Sequence, residues 1–233
     1  MYDVFLLSYH EPFAEESYEL LLDVAPHAQH VKNVKGIFNA HKRCAELSKT
    51  KMFYVVDADA RLVEGFDFSY EPKDADEIYK GVPATKCVHV WRSKNPINEL
   101  IYGYGGVKLF PTVELREAKD WHIDFTTSVG GNFVAVKEVS NITAFNTDEW
   151  STWKSAFREC AKLASSVIKN AHADTEHRLN VWCEVGELER YGKFAIEGAR
   201  AGRDYGKKYS GDTKALDKIN DFEWLKEKFN ECR

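Results

Sequence analysis

No stretch of this 233-residue chain approaches the roughly 20 apolar residues that a membrane helix requires. The opening residues, MYDVFLLSYHEP, lack the basic flank and small-residue cleavage site of a secretory leader, so a cytoplasmic protein is expected. No CxxC pair occurs. The five cysteines, Cys44, Cys87, Cys160, Cys183 and Cys232, are odd in number and scattered, which argues against a zinc site and against a disulfide framework. Free thiols fit a reducing compartment. Positive charge is not in surplus either: 32 Lys and Arg stand against 37 Asp and Glu, a net charge of −5, so bulk charge points away from nucleic acid. Internal repeats and low-complexity tracts are absent. What remains is 44% apolar and 13% aromatic, ample for a real core. The length suits one large α/β domain or a domain with an appendage.

The first 60 residues alternate regularly. DVFLLSY (3–9) is short and apolar on both faces, the pattern of a buried parallel strand. Tyr18, Leu21, Leu22 and Ala25 then recur at helical spacing, with Glu15 and Glu16 in the first turn, where negative charge is favoured. HVKNVKG reads as a second short strand, IFNAHKRCAELS as a second helix and MFYVV as a third strand. A β-α-β-α-β series implies a mostly parallel, doubly wound sheet flanked by helices. Ligands of such sheets bind beyond the carboxyl ends of the strands. KCVHVWRS, GGVKLFP and NFVAVKEV read as further strands. From residue 147 the texture becomes helical. TDEWSTWKSAFRECAKLASSVIKN is amphipathic, with Thr147 or Asp148 as N-cap and Trp150, Trp153, Phe157, Leu163 and Val167 as inner face. The division expected is a core over 1–146 and a helical extension over 147–233 that packs on it and contributes to acceptor binding.

The third strand runs straight into Asp57 and Asp59. Carboxylates at i and i+2 of an extended chain face the same side, about 6.6 Å apart. There they can converge on a hard cation such as Mg²⁺ or Mn²⁺, which takes oxygen ligands and is commonly shared with substrate phosphates. A turn after a strand is the alternative, because Asp is common in turns.

The pair resembles the DxD motif of the GT-A glycosyltransferases, which use nucleotide sugars. KGIFNAHKRCAEL resembles the segment that precedes that motif. The resemblance implies a GT-A (Rossmann-like) fold and a nucleotide sugar donor, UDP-linked by expectation. It also implies Mn²⁺ or Mg²⁺ at Asp57 and Asp59, with Asp59 the main ligand, Asp57 approaching the ribose as well, Ser8 and Tyr9 near the base and ribose, and Gly36 and Asn39 in the nucleotide-sugar site. YGYGGVKLFP resembles the family's glycine-bearing strand, in which Gly105 and Gly106 let backbone approach the sugar. HIDFTTSVGGNFVAV resembles its acidic segment, with Asp124 as general base. Ile123 stands where that family usually has Glu, which leaves Asp148 as a second catalytic candidate. Arg158, on the long helix, is a candidate diphosphate contact.

HVWRSKNPIN, YGYGGVKLFP, SNITAFNTDEWSTWKSAFRECAKLAS and IEGARAGRDYG together resemble the TET-associated glycosyltransferases of phages, over roughly residues 2–208. That resemblance implies transfer of a glucose- or arabinose-class sugar to 5-hydroxymethylcytosine in DNA. Phosphate contacts then have to be local. Arg200, Arg203, Lys207 and Lys208 form one candidate stripe, and Arg92 with Trp91, as a base-stacking platform, another. A solvated helix face and a core tryptophan are the alternatives. Three other functions compete: a GT-A enzyme with a polysaccharide or other acceptor, a non-catalytic DNA-binding protein, and a phosphatase of the haloacid-dehalogenase type. That last family carries DxD on its first strand, whereas here it ends the third.

Overall fold

Strand β1 (Asp3–Ser8) sits between two parallel neighbours, β2 (Gln29–Lys32) and β3 (Met52–Asp57). Helices α1 (Ala14–Val24) and α2 (Ile37–Leu47) make the two connections. In this computed structural model the residues described are 1–73, 78–79, 81–119, 129, 133–166, 174–231 and 233. The chain divides into two compact units, one of Met1–Lys94 with Ile101–Thr143, the other of Asn95–Leu100 with Ala144–Arg233.

The first unit is built on a seven-stranded sheet. Its remaining members are β4 (Ala60–Leu62), β7 (Val88–Lys94), β8 (Ile101–Pro111) and β9 (Phe133–Thr143), in the order β2-β1-β3-β8-β7-β9-β4. A separate two-stranded ribbon pairs β5 (Ile78–Tyr79) with β6 (Val82–Pro83), and α3 (Thr112–Glu117) follows β8. The expected mostly parallel sheet is instead mixed. β1 with β2, β1 with β3 and β7 with β9 are parallel, whereas β3 with β8, β8 with β7 and β9 with β4 are antiparallel.

The strand order forces the sheet to curl. From the end of β3 at Asp57 to the start of β4 at Ala60 is three Cα steps, at most about 11 Å. Four strand positions separate β3 from β4 in the sheet, which would be about 19 Å if the sheet were flat. Only a sheet bent round at this end lets both pairings form. Register shifts between Val90 and Ser93, where β7 meets both neighbours, supply local bending. The bend is sealed by a buried polar knot: Ser93 Oγ and Ser140 Oγ donate to Asn141 Oδ1 at 3.0 and 2.8 Å. The core lies on both faces of the sheet. Val4, Leu6, Tyr54 and Trp91 pack on one side, and Phe5, Phe53, Val55 and Phe110 on the other. β1 and β3 are therefore apolar without alternation.

The second unit is helical: α4 (Glu149–Ala164), α5 (Thr175–Glu184), α6 (Gly192–Lys208), α7 (Thr213–Asp217) and α8 (Phe222–Glu231). Asp148 is the N-cap of α4, accepting from Ser151 N at 2.8 Å. The helix stops at Ala164, earlier than its sequence suggests, with Ser165 N donating to Ala161 O. Trp153, Phe157 and Leu163 are buried and Trp150 is half-buried, as the periodicity predicts; Val167 lies outside the described residues. α6 presses its backbone onto α4 through glycines four residues apart. A Cβ on Gly198, Gly202 or Gly206 would come within 2.3, 2.2 and 2.4 Å of the carbonyl oxygens of Trp153, Phe157 and Ala161. No helix among the described residues is long and apolar enough to cross a membrane.

Candidate functional site

The connection from β1 to β2 runs to one side of β1, and the connection from β2 to β3 returns to the other. The carboxyl ends of β1 and β3 therefore flank the topological switch point of the sheet, where open α/β sheets bind ligands. Ser8 ends β1 and Asp57 ends β3. Leu7 pairs with Asp57, and Ala58 N donates to Leu7 O at 2.9 Å, so the two ends are laced together. Tyr9 follows at once and is 46% exposed. Gly36 and Asn39 begin α2, at the carboxyl end of β2. Gly36 has φ of 88°, a conformation that suits glycine, and Asn39 Nδ2 donates to Lys35 O at 3.1 Å.

Asp57 and Asp59 differ in setting. Asp57 is the last strand residue, while Asp59 lies in the turn before β4, so the pair is not carried on one extended segment. Asp57 Oδ2 accepts from Lys108 Nζ at 2.8 Å. Lys108 projects from β8, where it pairs with Val55, and is 6% exposed. Among the described residues Asp59 has no such partner. Burial and the neighbouring Asp57 charge push its carboxyl up to about 7, with Lys108 acting in the opposite sense. Glu11, whose carboxylate accepts from Tyr9 N, adds to the negative field at Asp59. Among the described residues, Asp59 thus feels two carboxylates, Asp57 and Glu11, against one ammonium, Lys108. That surplus suits a hard divalent cation, for which Asp57 and Asp59 are the available oxygen donors. Among the described residues no third His, Cys, Asp or Glu joins them as a metal-ligand cluster. Substrate oxygens and water would have to complete the coordination.

Two residues at this end were not singled out from the sequence. Ser8 Oγ lies 2.8 Å from His30 Nε2, and Tyr18 packs on the same imidazole at 4.9 Å between ring centres. Burial and then Lys32 hold the His30 pKa below its ordinary value, so the ring beside Ser8 is neutral at neutral pH. Lys108 is the other. A lysine within GGVKLFP is an anomaly in an apolar strand, and that anomaly was its readable signal.

The glycines of β8 differ from each other. A Cβ on Gly105 would meet nothing within 4 Å among the described residues. On Gly106 it would come within 2.4 Å of the Asn141 side-chain amide. Gly106 is glycine because Asn141 fills its place, which corrects the expectation that a sugar uses that space.

Three expected contacts of the acceptor are engaged elsewhere. Trp91 is fully buried, its Nε1 donating to Glu138 Oε2 at 3.2 Å, so it is core and not a stacking platform. Arg200 Nε donates to Cys183 O at 3.1 Å. Arg203 donates to Asn180 and Glu176, tying α6 to α5. Lys207 and Lys208 remain exposed and Arg92 half-exposed. Arg158 donates to Ile219 O and Asn220 Oδ1, both at 2.9 Å, and lies over the Phe222 ring, so its guanidinium is spent within the helical unit. Asp148 receives hydrogen bonds from Ser151 and Thr147, which lower its pKa although burial acts to raise it; that suits a cap better than a base. Asp124 lies outside the described residues. Cys44, Cys87, Cys160 and Cys183 are free and buried; Cys232 lies outside the described residues.

Comparison with models of known protein families finds no match, and comparison with curated protein sequences finds no significant one.

Proposed function

We propose that the chain is a metal-dependent glycosyltransferase that takes a glucose- or arabinose-class sugar from a nucleotide diphosphate sugar. The observation that carries this reading is the carboxylate pair at the switch point, with Asp59 raised to about 7 by burial and by the Asp57 charge beside it. Asp57 and Asp59 hold the cation, and Mn²⁺ or Mg²⁺ there supplies neutralisation of the diphosphate leaving group. Ser8 and Tyr9, at the mouth of β1, and Gly36 with Asn39, at the start of α2, flank the nucleotide. Lys108 holds Asp57 in place, and Gly105 leaves room beside the strand end. Asp124 is the base for the attacking hydroxyl, because Asp148 is committed to its cap.

The acceptor in this reading is the hydroxymethyl group of 5-hydroxymethylcytosine in phage DNA, supported by the ordered sequence blocks described above. A second reading has a specific observation in its favour. With Trp91 in the core and Arg200 and Arg203 tied to α5 and its C-terminal end, fewer free contacts remain for DNA. This favours a glycosyltransferase with a polysaccharide or other non-DNA acceptor. One assay separates the two. The protein, Mn²⁺ or Mg²⁺, a panel of nucleotide sugars and DNA with cytosine or 5-hydroxymethylcytosine are incubated, and the DNA is digested and its nucleosides weighed. A hexose or pentose adduct on the modified base alone supports the DNA acceptor. Donor hydrolysis without an adduct moves the reading to another acceptor.

A further inference from the structure

The helical unit contains a pocket of about 530 Å³ that neither the acidic pair nor the nucleotide donor uses. That volume lies within the range of small-molecule sites. Its wall is aromatic: Trp153 and Phe157 from α4, Tyr205 from α6, Tyr209 just after it, and Trp224 from α8. Trp153 and Phe157 are buried, whereas Tyr205, Tyr209 and Trp224 are half-exposed. The rings brace one another. Tyr205 lies 4.6 Å from Tyr209 and 5.2 Å from Trp224 between ring centres, and its hydroxyl donates to Ala215 O at 2.6 Å. A wall held this way loses little freedom when a flat ligand meets it.

The rim is cationic. Lys208, Lys218 and Lys228 line the opening together with Asp204 and Glu231. Glu231 pairs with Lys228. Among the described residues Lys208 and Lys218 make no ion pair; their ammonium groups sit 5.1 Å over the Tyr209 ring and 6.0 Å over the Trp224 ring. An aromatic wall with two unpaired ammonium groups at its edge matches a ligand with a flat, polarisable ring and an adjacent anion. Trp153 adds one more feature: its indole N–H is buried without a hydrogen-bond partner among the described residues.

We propose that this pocket binds a nucleoside phosphate, the base against the Tyr205, Tyr209 and Trp224 rings and the phosphate against Lys208 and Lys218. Base–aromatic stacking with lysine contacts to the backbone is how single strands are held without sequence readout. The chemistry is the same for one nucleotide of a DNA strand and for a free nucleotide, and the test separates the two. The inference stands on the pocket alone and does not require the transfer reaction.

The test uses the whole chain without metal or nucleotide sugar. Binding of a 5′-fluorescein-labelled dT12 strand is followed by anisotropy at several salt concentrations, and binding of thymidine 5′-monophosphate by calorimetry. Trp224→Ala is expected to weaken binding about tenfold or more. Lys208→Glu with Lys218→Glu is expected to weaken dT12 binding and to lower the slope of log K against log salt by about 0.7 for each lost phosphate contact. dT12 binding well tighter than the mononucleotide identifies a strand as the source; equal affinity identifies a free nucleotide. If neither probe binds, or if both variants bind as the unaltered protein does, the proposal is overturned. The two lysines are exposed, so the charge reversal remains informative if Trp224→Ala fails to fold. Asp59→Asn must leave this binding unchanged, which separates failure of the pocket from failure of the transferase reading.

Discussion

Asp57 and Asp59 are two residues apart and electrostatically unlike. Asp57 pairs with Lys108, and among the described residues Asp59 makes no ion pair. The Asp59 carboxyl is raised from 3.8 to about 7 in the folded chain. Between those values the folded chain keeps a proton that the unfolded chain has released. This group's contribution to stability is therefore present at pH 4 and lost as pH rises through 7. In chelator-treated protein, Asp59→Asn should raise the melting temperature at pH 8 and change it little at pH 4; an equal shift at both pH values would contradict the assignment. The same substitution should abolish sugar transfer while leaving the circular dichroism spectrum intact, and retained transfer would show that Asp59 holds no essential metal. Lys108→Met leaves Asp57 without its ammonium. Its expected cost is about 1–3 kcal/mol by urea unfolding, below that of a fully sealed pair because Asp57 keeps some access to water.

At the scale of elements, the glycines of α6 carry packing. In an exposed helix Gly→Ala stabilises by roughly 1 kcal/mol. At Gly202 the new Cβ would lie 2.2 Å from Phe157 O, a backbone atom that cannot swing aside. Gly202→Ala should therefore lower the melting temperature, by the equivalent of about 1–3 kcal/mol. Arg200, Arg203, Lys207 and Lys208 read as a phosphate-binding stripe because charges are conspicuous in a sequence, yet Gly198, Gly202 and Gly206 between and beside them are what bring α6 onto α4. At the start of α4, Asp148→Asn preserves a good cap and should preserve both stability and transfer, whereas Asp148→Ala should cost about 1 kcal/mol. Loss of transfer in Asp148→Asn with stability retained would restore Asp148 as a base.

At the scale of the molecule, the β-α-β-α-β half was legible from sequence, because buried parallel strands are apolar on both faces and β1 and β3 are apolar over residues 4–7 and 52–56. The direction of β8 and the curl were not legible. An antiparallel insertion depends on which strand docks beside β3, and the curl on the short link from β3 to β4, both properties of distant pairing. Membership of Asn95–Leu100 in the helical unit is likewise long-range: Gly186 backs onto Ile97, where a Cβ would lie 2.5 Å from that side chain. The acidic pair was visible as a break in an apolar run, but its partner Lys108 lies 51 residues away. The central claim is that Asp57 and Asp59 bind a divalent cation together with a nucleoside diphosphate. Calorimetric titration of nucleoside diphosphates into the protein, with Mn²⁺ or with EDTA, tests it most directly. Binding in Mn²⁺ that disappears in EDTA and in Asp59→Asn is the predicted result; binding of equal strength in all three conditions would contradict it.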